Sequence, residues 1–262
     1  MLKAVDTHAH LDFPDFDRDR DDLLAELAQS QVGVINVATD LASVEKVVDL
    51  SRRNELIWGA VGLHPTEITS ATLTELPKLI ERWRVLLTDN PKLVAVGEIG
   101  LDYYRDQSRD SANRQIATLR QMLGFSLEVG KPVIFHCREA YGDLTTILKD
   151  YPGLKGVVHC FSGSYEQAKQ FLELGLKLSF TANITYERND YLRQTLVRLP
   201  LQELMLETDC PFLPLETERG NRNDPRTVLE IAKTVASVKN EDVTKVLAQT
   251  TINARNLFGL GR

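Results

Sequence analysis

The chain has 262 residues, 43% of them hydrophobic and 26% charged, with a formal net charge of −6. That length suits one α/β barrel of about 250 residues, and the composition excludes a disordered, collagenous or disulfide-dense chain. The acidic balance argues against a basic, sequence-independent binder of duplex DNA, whose affinity rests on many Lys and Arg contacts to phosphates. A phosphodiester gripped locally by cations and a few arginines is still compatible with it.

Eight runs rich in Val, Ile, Leu and Ala read as strands, at 4–10, 32–39, 57–63, 93–99, 132–137, 155–160, 176–181 and 203–208. They are continuous rather than alternating, as in parallel strands covered on both faces. Amphipathic helices fall between them. Leu23, Leu24 and Leu27 mark the first, and Val44, Val47 and Val48 the second. Leu76, Leu79, Ile80 and Trp83 mark the third, and Leu119, Met122, Leu123 and Leu127 the fourth. Further helical patterns cover 141–150, 165–174, 188–198, 225–237 and 241–257. This alternation predicts an α/β fold, a closed (β/α)8 TIM barrel forming one domain over 1–262. No Pro/Gly/Ser linker or low-complexity tract divides it. The longest irregular stretches, 64–72, 100–112 and 209–224, follow strands three, four and eight on the face where such barrels bind substrate.

No apolar run approaches the ~20 residues that span a bilayer. MLKAVDTHAH enters the first strand directly, without a signal-peptide pattern, so the expected location is cytoplasmic. Cys137, Cys160 and Cys210 each follow a candidate ligand. Strand alternation predicts that their thiols face the helix layer as small buried hydrophobes. An odd count argues against a disulfide framework.

The chemistry gathers at the strand ends. All five histidines lie where a strand finishes: His8 and His10 in AVDTHAH, His64 in GAVGLHP, His136 in PVIFHCRE and His159 in GVVHCFSG. Two further strands end in acids, Glu98 in LVAVGEIGLD and Asp209 in ELMLETDCP. Imidazole and carboxylate are the usual ligands of divalent transition metals, so a ring of such strand ends predicts a metal site at the C-terminal face. His8-Ala9-His10 points two imidazoles to one side, fit to chelate one ion, with Asp6 placed to orient a ligand histidine. Glu98 can bridge two cations, with Gly100 and Asp102 on its side of the strand, and His136 and His159 complete the second site. Asp209 is a candidate ligand of the first ion and a proton acceptor for the attacking water. Two cations ~3.5–4 Å apart stabilise both attacking and leaving oxygens. Each histidine taken alone suits a structural role; the coincidence of six donors on five strands argues for the metal.

The segments DTHAHLD, GLHP, VGEIGLDYY, PVIFHCRE, VHCFSGS, LMLETDCPFL and RNDP, followed by TINARNLFGL, resemble in order the signatures of the TatD family of metal-dependent deoxyribonucleases. The likeness covers nearly the whole chain. It implies a TIM-barrel hydrolase of amidohydrolase-like type that cleaves phosphodiesters with divalent metal. The family's ligands carry over onto His8, His10, Glu98, His136, His159 and Asp209. Glu98 stands where many amidohydrolase relatives use a carbamylated lysine, which favours this family over lysine-bridged lactonases and phosphotriesterases. One departure lies at Thr7 and Ala9, beside the first histidines, where cysteine or serine is common; neither is a ligand candidate.

Around the metals, the resemblance implies that His64 contacts the substrate phosphate or a water on a metal. Arg138, two residues past His136, suits a phosphate oxygen. Tyr103 and Tyr104 offer a stacking surface for a base or pack their loop. Ser162-Gly163-Ser164 is either an anion-binding turn or, at Ser164, an ordinary helix cap. Arg222 and Asn223 close over substrate, or Asn223 instead ties the last loop to the barrel.

The leading reading is a divalent-metal-dependent deoxyribonuclease of 3′–5′ exonuclease type, acting on single strands or ends through a metal-activated water. DNA is the expected partner, with no membrane and no obligate protein partner. The cofactors expected are two divalent ions among Mg, Mn, Zn, Co and Fe. A second reading keeps the metals and changes the bond to an ester or amide, such as D-aminoacyl-tRNA deacylation. A third, a non-catalytic binding barrel, has no use for Asp209.

Overall fold

The computed structural model describes residues 2–261. Among the described residues eight parallel strands pair in chain order: β1 (Ala4–Ala9), β2 (Val32–Val37), β3 (Ile57–Val61), β4 (Leu93–Asp102), β5 (Val133–Arg138), β6 (Gly156–Val158), β7 (Lys177–Phe180) and β8 (Leu204–Leu206). A parallel bridge between Ala9 and Cys210 closes β8 back onto β1. The architecture is the (β/α)8 TIM barrel. Helices α1 (Arg20–Ser30), α2 (Leu41–Arg53), α3 (Ser70–Asp89), α4 (Arg109–Val129), α5 (Tyr141–Leu148), α6 (Tyr165–Glu173), α7 (Asp190–Arg198) and α8 (Val228–Lys239) separate and follow the strands. The last, α9 (Val243–Phe258), packs against β1 and β8. Among the described residues no helix is long and apolar enough to cross a membrane.

The helices start where polar side chains satisfy their free N–H groups. Asp40 and Ser43, Thr69 and Thr72, and Ser164 and Gln167 each form a reciprocal capping box. Ser164 is therefore a helix cap. The apolar stripes bury as their spacing predicts at Leu23, Leu27, Val44, Val47, Leu76, Trp83, Leu119, Met122 and Leu123. Leu127 departs from this: α4 carries it onto the exposed side, 47% accessible.

Strand lengths depart from the sequence reading in an informative way. Most strands stop one or two residues early, whereas β4 continues to Asp102. Its end stays paired with β5, Gly100 with His136 and Asp102 with Arg138. Between Val96 and Ile99 the register shifts, so three steps on β4 oppose two on β5, a bulge that contains Glu98. β1 has the same irregularity between Asp6 and Ala9, around His8. Bulges re-aim side chains, and these two occur at metal-ligand candidates.

Asp6 does not orient a histidine ring. Its Oδ1 accepts from the backbone N–H groups of His8 (3.2 Å) and Thr208 (2.9 Å), and its Oδ2 accepts from the Thr208 hydroxyl (2.6 Å). A fully buried carboxyl thus fastens β1 to the end of β8. Burial pushes its pKa well up against those hydrogen bonds.

Gly100 allows β4 to lie against β5 beneath the site: a Cβ there would fall 1.9 Å from the His136 carbonyl oxygen. Gly100→Ala should therefore cost about 3 kcal/mol of stability in urea unfolding. Gly124→Ala, in α4 with nothing within 4 Å of the added atom, should stabilise by up to about 1 kcal/mol. Equal stability of the two variants would contradict this account of the strand contact.

Candidate metal centre

The strand ends deliver side chains to the floor of a cavity of about 880 Å³. Glu98, 2% exposed, is at its centre. Its Oε1 lies 2.7 Å from His159 Nε2 and 2.8 Å from His136 Nδ1; its Oε2 lies 3.4 Å from His8 Nε2. Asp209 Oδ1 approaches from β8, 3.4 Å from His10 Nε2 and 3.7 Å from His8 Nε2. Asp209 has a left-handed backbone, φ 56°, and its N–H donates to the His8 carbonyl at 2.9 Å. The exit of β8 is thereby pinned to the exit of β1.

Two groups share Glu98: His8 and His10 on one side, His136 and His159 on the other, with candidate ligand atoms in each group within 4.8 Å of one another. The nitrogens crowd closely, His8 Nε2 to His10 Nε2 at 3.3 Å and His136 Nδ1 to His159 Nε2 at 3.1 Å. Imidazole lone pairs converging beside a buried carboxylate fit the donor set of divalent cations. Other ring atoms are held from behind. His10 Nδ1 is 2.9 Å from the Val37 carbonyl, and His136 Nε2 is 3.1 Å from Asp102 Oδ2. Both contacts fix which nitrogen faces the centre.

His64 has the opposite arrangement. The Thr66 N–H donates to its Nδ1 at 3.2 Å, which leaves the proton on Nε2. That atom lies 3.3 Å from His136 Nδ1 and 3.7 Å from Glu98 Oε1. Burial lowers the His64 pKa to about 4, so the ring is neutral near pH 7. It presents an N–H donor to the cavity rather than a lone pair. His64, Asp102 and His136 also fall within ligand distance of one another; with its proton on Nε2, His64 enters this group as a donor.

The charges answer one another. Burial alone would raise the Glu98 carboxyl, yet His159, His64 and His8, with the hydrogen bond from His136, hold it well below the usual range. Burial opposes charge on His10, but Asp209 lifts that imidazole from 6.5 to about 9. Asp209 is itself drawn down, against burial, by His10 and His8. His136 and His159 are raised against burial, by Asp102 and Glu98 and by Glu98 and Glu207 respectively.

The cavity wall differs from the sequence reading. Arg138 lines it and stacks on Tyr104, its guanidinium carbon 3.8 Å from the ring centroid. Tyr103 turns away and donates its hydroxyl to Asp143 at 2.8 Å. Arg222 is also outside, paired with both oxygens of Asp19 and lying over Phe16. Asn223 is buried and donates to the carbonyls of Thr208, Phe212 and Leu213, tying the last loop down. Neither Arg222 nor Asn223 lines the cavity: the Asn223 amide is spent on three carbonyls, and Arg222 is held at Asp15 and Asp19.

Cys160 lines the cavity rather than facing the helices, whereas Cys137, beside the wall, belongs to the buried apolar core. At Cys160 the cause is a left-handed φ of 45°, which breaks strand alternation. Burial, with the charge of Asp209 nearby, pushes its thiol up to about 12. Burial keeps both thiols protonated. Sequence reasoning missed Arg105, Arg188, Phe13 and Phe212, which also line the wall. They sit in loops whose course no periodicity reveals. Glu207 was missed because it reads as the polar end of an apolar strand.

The family model for TatD-related DNases matches residues 5–259. The uncharacterized metal-dependent hydrolase YjjV of Escherichia coli is 35% identical over 266 residues, covering 99% of each chain. The crystal structure of YjjV superposes with a TM-score of 0.88 at 33% identity, again covering 99% of each chain. A protein named 3′-5′ ssDNA/RNA exonuclease TatD, from Erwinia amylovora, is 33% identical over 97% of this chain and 99% of its own length. The uncharacterized metal-dependent hydrolase YabD of Bacillus subtilis is 31% identical over 97% of this chain and 98% of its own length.

The His10–Asp209 pair makes a prediction for the metal-free protein. A histidine raised from 6.5 to about 9 contributes stability that is complete below pH 6.5 and is lost as pH rises through 9. His136 and His159, also raised, add declines of the same sign. In Asp209→Asn the His10 titration followed by NMR should move down and its share of the alkaline decline should vanish. An unchanged His10 titration near pH 9 would contradict the pairing.

Proposed function

The chain belongs to the TatD-related DNase family and is a metal-dependent hydrolase, and we propose that it is a nuclease that removes nucleotides from the 3′ end of single-stranded DNA. The observation that carries this reading is Glu98, whose two oxygens face two separate histidine pairs at the bottom of an arginine-bearing cavity. The naming of the Erwinia relative supports the choice of bond and polarity.

In this reading His8, His10, Glu98 and Asp209 hold one ion, and Glu98, His136 and His159 hold the other. Mixed nitrogen and oxygen donors accept Zn, Mn, Co or Fe, and Mg where phosphate adds oxygens. When bound, the pair supplies charge neutralisation at a scissile phosphate and a lowered pKa for water. The residues of the chain do the rest. Asp209, ionised through its histidine neighbours, accepts the proton of the attacking water and returns it to the leaving sugar oxygen. His64 Nε2–H and the guanidiniums of Arg138, Arg105 and Arg188 bind phosphate oxygens. Phe13, stacked on His10 at 4.9 Å, and Phe212, 51% exposed at the rim, offer faces for bases. Few basic groups lie over a deep cavity, which suits a strand end better than a long duplex.

With manganese or magnesium, 3′-unlabelled, 5′-labelled single-stranded oligonucleotides should shorten stepwise, and a 3′ label should be released at once as mononucleotide. Asp209→Asn and Glu98→Gln should each lower kcat by about 10³ or more. No cleavage of any DNA or RNA with Mg, Mn, Zn or Co, beside turnover of an ester or aminoacyl-tRNA, would overturn the reading.

A further inference from the structure

Three buried polar atoms lack a hydrogen-bond partner among the described residues and belong to one neighbourhood: His8 Nδ1, His159 Nδ1 and Glu207 Oε2. One donor or acceptor atom from each of these residues lies within 4.8 Å of the others. All three side chains are buried, Glu207 wholly so. Leaving a buried polar group without a partner is costly, so three in one place call for a common cause.

The two rings stack, centroids 4.0 Å apart and planes 15° from parallel. They belong to different ion groups, His8 to the pair with His10 and His159 to the pair with His136. Each points Nε2 at Glu98. An imidazole that gives its Nε2 lone pair to a cation carries its proton on Nδ1, and that N–H needs an acceptor. His10 has Val37 and His136 has Asp102 for this purpose. For His8 and His159 the remaining carboxylate is Glu207. Its Oε1 lies 3.4 Å from His159 Nδ1 and accepts the Cys160 N–H at 2.5 Å. A third cation among these atoms would need both rings stripped of both protons, which argues for a hydrogen-bond role.

We propose that Glu207 is a positioning residue shared by both ion sites: it accepts the Nδ1 protons of His8 and His159, that of His8 directly or through one ordered water, and so aims both Nε2 atoms at the metals. One carboxylate beneath the stacked rings then couples the two sites. This rests on the two-ion reading above.

The test is a chelator-competition titration of manganese into the full chain, resolving two binding constants. In Glu207→Gln one amide oxygen faces two N–H donors, and both constants should weaken about 10–100-fold. The metal-free variant should melt as a cooperative unit. Loss at one ion alone, or unchanged constants, would overturn the shared role. If the variant does not fold, ¹⁵N-histidine NMR of the zinc-loaded wild-type protein decides. His8 and His159 should both be Nδ1–H tautomers with protected protons, and an Nε2–H tautomer in either ring would overturn the proposal. Failure of the underlying reading looks different: wild-type protein would take up fewer than two ions, or His10→Ala and His136→Ala would leave uptake unchanged.

Discussion

A carboxylate buried at the centre of the barrel mouth, with only imidazoles to answer its charge, is the constraint around which the site is organised. Glu98 is almost inaccessible, and among the described residues its charge is faced by the imidazoles of His8, His64, His136 and His159, with no lysine or arginine. Taking such a charge out of water costs several kcal/mol unless it is matched. Histidines match it in part when protonated; cations match it fully and free the rings to be neutral ligands. Nitrogens only 3.1–3.3 Å apart must have either a ring proton or a cation between them.

The same residues close the barrel. β8 meets β1 through the Ala9–Cys210 bridge, the Asp209 N–H to the His8 carbonyl, the His10 N–H to the Cys210 carbonyl, and the two buried bonds that Thr208 donates to Asp6. Positioning of the ligand candidates and closure of the sheet are therefore one set of hydrogen bonds. Asn223 extends it outward by fastening the loop after β8 to three carbonyls, and Arg222 clamps that loop to Asp19. The pocket wall is thus built on a rigid seam, which favours catalytic geometry held before substrate arrives.

Much of this was legible in the sequence, for a physical reason. A parallel strand buried on both faces is written in apolar residues, so a histidine or acid at its end stands out against it. His8, His10, Glu98, His136, His159 and Asp209 were all visible this way, and the structure brings them within reach of one another. What stayed hidden depended on backbone detail. The bulges at His8 and Glu98 and the left-handed turn at Cys160 leave no periodic trace. Arg222 and Tyr103 look like substrate contacts until Asp19 and Asp143 are seen to occupy them. Glu207 passes for the polar end of a strand, because its partners, His159 and the Cys160 N–H, lie about fifty residues away in sequence.

In the proposed site Glu98 would join two cations. Anomalous diffraction from crystals grown with manganese addresses it directly. The account predicts two anomalous peaks about 3.5–4 Å apart, one on each oxygen of Glu98, the first beside His8, His10 and Asp209 and the second beside His136 and His159. A single peak, or peaks that leave Glu98 uncoordinated, would contradict it.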